Sequence, residues 1–117
     1  MAKTRGVKPR RIDRRNPFHW STRRYGFFAA FMAGRGTTTR DKLVESALKF
    51  RAAVDITDDT EMAVRKDVAD HIYWWKKPRH EMKPHYVLSV TEDQDGNLTC
   101  VAVDGRPYDE YMAGRVR

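Results

Sequence analysis

The sequence predicts an α+β fold: a small three-helix core followed by a β-hairpin and a short C-terminal helix, with a flexible basic N-terminal arm. Three observations predict it. Helical periodicity runs through Arg23–Gly36, Arg40–Val54 and Asp59–Lys77, each stretch flanked by capping residues. Two alternating apolar runs flank Asp95-Gly96, a dipeptide that favours hairpin turns. The chain start is rich in Arg and poor in apolar side chains, which separates an arm at residues 1–20 from a compact domain at 21–117.

Within the arm, Met1–Arg15 has too little apolar surface to hold itself in shape, so it is expected to be disordered unless bound. Asn16-Pro17 reads as a turn. Phe18 and Trp20 then set bulky rings beside the cationic run. They either staple the arm to the body or stack on bases next to the arginines.

In the first helix Tyr25, Phe27, Phe28, Phe31 and Met32 fill one arc, and the opposite arc holds Gly26, Ala29, Ala30 and Ala33. With no polar face, this helix is expected to be buried on all sides. Ten residues at about 1.5 Å each reach half of a bilayer core of about 30 Å, which makes it a core helix and not a membrane span. Gly26, Ala30 and Gly34, spaced by four, admit a second backbone at close range. Ser21 or Thr22 caps the helix, and Gly34 or Gly36 ends it.

Thr37-Thr38-Thr39 supplies the next cap, with Thr38 and Asp41 at capping-box spacing, before a second helix whose stripe is Leu43, Ala47, Phe50 and Val54. Asp58 and Glu61 form the corresponding pair before the third, which lines up Val64, Val68, Ile72 and Trp75. Trp74 falls on the polar side with Asp67 and Asp70. It is expected either under the C-terminal segment or facing a partner. Lys76 and Lys77 suit a helix C-terminus, and Pro78 stops the helix. In the hairpin, Tyr86, Leu88 and Val90 are expected to share a face with Leu98, Cys100 and Ala102, with Val87, Val101 and Val103 opposite. Pro107–Ala113 reads as the last short helix, ended by Gly114.

The net charge of +7 is unevenly placed. Residues 1–40 hold eleven Lys/Arg and one acid, Asp13, whereas residues 41–117 hold twelve Lys/Arg and fifteen acids. A cationic arm on a near-neutral body points to a polyanion or an acidic protein surface. Arg outnumbers Lys in the arm, and guanidinium forks suit bidentate phosphate contacts. Cys100 stands alone, which excludes an internal disulfide and fits a reducing, cytoplasmic setting.

Most motif fragments fail on inspection. Arg23-Arg24 before an apolar run begins like a twin-arginine signal, but the run is short and Arg35 follows. Pro9 and Pro17 interrupt any amphipathic presequence helix. His80-Glu81 begins like a zinc-protease helix, yet Pro84 breaks it before His85. Asp93–Asn97 resembles part of a calcium loop, but Thr91 and Ala102 stand where its first and bidentate ligands belong. Gly34-Arg35-Gly36 lacks the Lys-Ser/Thr of a phosphate loop, and no catalytic triad has a local signature. His71 borders the buried stripe and reads as a satisfied core histidine. Three helices and a hairpin also suggest a winged helix, but Asp67, Asp70 and the acidic hairpin tip would repel phosphate on its usual DNA face.

The functional expectation is therefore a non-enzymatic accessory protein associated with nucleic acid, DNA or RNA. Lys3, Arg5, Lys8, Arg10, Arg11, Arg14, Arg15, Arg23 and Arg24 would contact phosphates, with Trp20 stacking beside them. The alternative is a protein-interaction module, either a subunit of a larger assembly or an inhibitor docking on an enzyme. Gly26, Ala30 and Trp74 would then form its interface. No catalytic residue, metal, cofactor or membrane is expected, and an arm of this kind on a small body fits a phage-encoded protein.

Overall fold

A computed structural model describes residues 6–115. Its elements run α1 (Arg23–Ala33), β1 (Thr37–Thr38), α2 (Arg40–Ala53), α3 (Glu61–Trp75), β2 (Leu88–Glu92), β3 (Leu98–Val103), β4 (Arg106–Pro107) and α4 (Tyr108–Arg115). A 3-10 turn at Arg79–Glu81 joins α3 to the sheet. The fold is α+β, with helices packed on a four-stranded antiparallel sheet.

Thr22 caps α1 by accepting from the Tyr25 N–H. At the other end a Cβ on Gly34 would fall 1.8 Å from the Thr37 carbonyl oxygen, so a glycine is required where the chain folds back into β1. Phe27, Phe28 and Phe31 are fully buried. Phe27 and Phe31 meet Trp75 of α3 edge-on, while Phe28 packs against Tyr108 and Tyr111 of α4. Each such ring contributes about 1.5–3 kcal/mol by leaving water. The helix is central, but it is not buried all round as expected. Ala33 is exposed and Ala29 and Met32 only half-buried, because their arc borders open grooves instead of another element.

The threonine run before α2 supplies its cap as expected, through Thr39 and not through a Thr38–Asp41 box, and before α3 the expected Asp58–Glu61 box gives way to Thr60. Thr39 caps α2 and Thr60 caps α3, accepting from Lys42 N–H and Ala63 N–H. Thr37 and Thr38 are taken by the sheet, pairing with Thr99 and Leu98. The acid beside the second cap, Asp59, is taken by arginines of α1 and α2. Val64, Val68, Ile72 and Trp75 are buried in α3 as the periodicity predicts.

β3 is the central strand. β2 pairs with it antiparallel, with a bulge between Ser89 and Val90, and β4 pairs with its end through Ala102–Pro107 and Val103–Arg106. The bulge corrects the expected faces. Val101 has no opposite number in the register, so alternation slips by one residue. Val103 is thereby buried with Leu98 and Cys100, while Val101 is left 46 % exposed. The Asp93–Asn97 segment is a turn closed on itself: the Asp93 carboxylate accepts from the N–H groups of Asp95 and Asn97 and from Asn97 Nδ2. A second turn, Asp104-Gly105, has φ of 50° and 81° and delivers β4.

Candidate nucleic-acid interface

From residue 6 onward the arm meets the body at a few points. Val7 N–H donates to the Val54 carbonyl at 2.7 Å. Asp13 N–H donates to the Tyr25 hydroxyl at 3.2 Å. Asn16, only 7 % exposed, donates from Nδ2 to the Tyr25 carbonyl at 2.8 Å and accepts the Phe18 N–H. Phe18 sets its ring edge-on to Phe28 at 6.2 Å, which is the staple one reading expected.

The anchored path leaves cations outward. Lys8, Arg10, Arg11 and Arg14 are exposed, and among the described residues none of them has an acidic partner. Arg15 differs. It grips Asp13 through Nε and Nη2 at 3.0 and 2.8 Å, a pairing that holds the Asp13 carboxyl below its ordinary value. Trp20 is half-buried with its ring 4.9 Å from that of His19. Lys3 and Arg5 lie outside the described residues.

Arg23 and Arg24 sit in an internal polar network. Arg23 reaches Asp59 at 2.8 Å and Asp67 at 3.3 Å, and Arg51 reaches the other Asp59 oxygen at 2.6 Å while also donating to the Ser21 carbonyl. Burial raises the Asp59 carboxyl, but hydrogen bonds and charge from Arg51 and Arg23 outweigh it and hold it below the usual range. Arg24 donates from Nε to His71 Nε2 at 3.1 Å. A guanidinium only donates, so Nε2 is the acceptor and the His71 proton stands on Nδ1, which faces the Asp67 carbonyl at 2.8 Å. His71 is thus a satisfied core histidine, and it ties α1 to α3.

The three interface residues named from the sequence have neighbours within the chain. Gly26 and Ala30 are buried in the seam between α1 and α2, where Ser46 Oγ donates to the Gly26 carbonyl at 2.6 Å. Trp74 stacks on Tyr86 with ring centroids 5.6 Å apart. Its cover is thus the loop before β2 and not the C-terminal segment. Lys83 lies over its ring at 4.9 Å.

One cationic groove escaped the sequence reading. It holds about 410 Å³ and is lined by Arg40, Ala69, Ile72, Tyr73, Lys76 and Lys77. The signal was present in the run Tyr73-Trp74-Trp75-Lys76-Lys77, where rings and lysines follow one another. Reading the lysines as helix-terminal charges hid it, because Arg40 joins them only through the packing of α2 on α3.

Among the described residues, no group of three or more His, Cys, Asp or Glu side chains is placed to hold a metal ion, and no helix is long and apolar enough to cross a membrane. In comparisons with known protein families, curated proteins and solved structures, nothing matches this chain.

Proposed function

We propose that this protein is a non-enzymatic nucleic-acid-associated accessory protein that holds phosphates with its N-terminal arm. One observation carries the reading: four exposed cations without an acidic partner stand close together on the arm. In the body, Arg23, Arg40, Arg51, Arg65, Lys76 and Arg79 pair with carboxylates, and the cations that do not, Lys42, Lys49, Lys66 and Lys77 among them, belong to a part of the chain in which acids outnumber Lys and Arg. In the arm, Lys8, Arg10, Arg11 and Arg14 point into solvent without an acid, along a strap fixed at Val7, Asp13 and Asn16. Unneutralised charge on an anchored strap supports a polyanionic partner, since ordering is partly done before binding.

Arg15, Arg23 and Arg24 take a smaller part in this reading, because their guanidiniums already have partners. The test is binding of labelled duplex and single-stranded oligonucleotides at about 50 mM salt, where phosphate attraction is strong. A protein with Lys8, Arg10, Arg11 and Arg14 all replaced by Ala should bind both far more weakly while unfolding at the wild-type midpoint. Wild-type protein that binds neither ligand would overturn the reading and leave an acidic protein surface as the arm's partner.

A further inference from the structure

The groove at the C-terminal end of α3 has a different character from the arm. Its wall is Tyr73, 57 % exposed, with the Lys77 ammonium 4.6 Å from the ring centroid. Ala69, Ile72, Tyr73 and Lys76 repeat at three- and four-residue spacing, so one face of α3 presents a small apolar floor, a ring and a cation. Arg40 closes the groove from α2. Arg40 and Lys76 share one acid, Glu92, at 3.1 and 3.2 Å. Lys77 has no acidic partner among the described residues, so cations exceed acids along the groove.

We infer that this groove is a second contact site, which takes an unstacked nucleotide of single-stranded nucleic acid, its base against Tyr73 and its phosphate toward Lys77, with Arg40 and Lys76, which share Glu92, at the groove's other side. The inference rests on the nucleic-acid reading of the chain and adds where a base is held. A face carrying only cations would grip any phosphate backbone. A ring already covered by a cation marks a π-face that can exchange Lys77 for a base, releasing the lysine toward a phosphate. Duplex bases are stacked within the helix and cannot reach the ring, so the site selects single strands. Beside it Trp74 carries Lys83 in the same ring–lysine arrangement, with the Tyr73 and Trp74 rings perpendicular and 5.5 Å apart. Asp70, one turn before Tyr73 in α3, is not in the groove lining.

The experiment compares a short oligothymidylate with an abasic strand of equal length and charge, using full-length protein. Wild type should prefer the oligothymidylate. Tyr73→Ala should weaken oligothymidylate binding by about five- to a hundredfold, leave the abasic strand and the salt slope unchanged, and unfold at the wild-type midpoint. Tyr73→Phe should restore the preference, which loss of fold in the Ala variant would not obscure. Equal wild-type affinity for the two strands, or equal loss on both in a folded Tyr73→Ala protein, would overturn the site while leaving the arm reading intact. Replacing the arm cations should lower affinity for both strands alike. If that replacement changes nothing and the base preference persists, the arm reading falls and the groove stands.

Discussion

Gly26 and Ala47 bring the backbones of α1 and α2 into close contact: a Cβ at Gly26 would stand 2.5 Å from the Ala47 Cα and 2.9 Å from its nitrogen. Both atoms are backbone, so relief requires α1 and α2 to move apart. Glycine in mid-helix normally concedes up to about 1 kcal/mol to alanine. Here the overlap outweighs that gain, and Gly26→Ala should destabilise by about 1–3 kcal/mol in denaturant unfolding. A rise in stability would show that the seam is looser than this geometry.

Phe28→Ala and Phe31→Ala should each cost about 3–5 kcal/mol, because both rings are fully buried, Phe28 against Tyr108 and Tyr111 of α4 and Phe31 against Trp75 of α3. Unfolding midpoints equal to that of wild type would contradict the central place of α1.

Much of this core was legible in the sequence. The aromatic arc of α1 and the stripe of α3 follow from side-chain spacing alone, which local geometry fixes. The bulge that buries Val103 was not, since register is decided between strands and alternation within one strand cannot report it. Asp104-Gly105 carries the same turn signal as Asp95-Gly96, yet the two residues of β4 are too few to show a pattern. Of the site, composition exposed the arm but not its anchors, because Asn16 and Tyr25 meet only in three dimensions. The same holds for the groove, where Arg40 stands far from Tyr73 in the chain.

The Arg23–Asp59–Arg51 network should make stability acid-sensitive. Burial raises Asp59, while Arg51 and Arg23 lower it further, so the folded carboxyl titrates below its unfolded value of about 3.9. The folded state then binds fewer protons than the unfolded one. Its stabilising contribution is present above the unfolded value and is lost as pH falls toward the folded one. Asp67, lowered in the same direction, adds to the effect. Stability of Asp59→Asn should therefore fall less steeply than wild type below about pH 4. Identical acid profiles would remove Asp59 from the account.

Cys100 is 2 % exposed, and burial pushes its thiol up to about 12. It should resist an aromatic disulfide reagent at about pH 8 in the native protein and react at once in denaturant. Rapid labelling of folded protein would mean that β3 opens readily.

Whether the arm cations meet phosphate shows most directly in the salt dependence of duplex DNA binding, measured for wild type and for the protein with Lys8, Arg10, Arg11 and Arg14 replaced by Ala. Each neutralised phosphate contributes about −0.9 to the slope of log affinity on log salt, so four contacts from these side chains give a difference of about 3 to 4 between the two slopes. The slope should flatten by that amount, with both proteins unfolding at the same midpoint. Parallel slopes in two folded proteins would contradict it, because the unpaired cations of the arm would then not be the groups that meet phosphate.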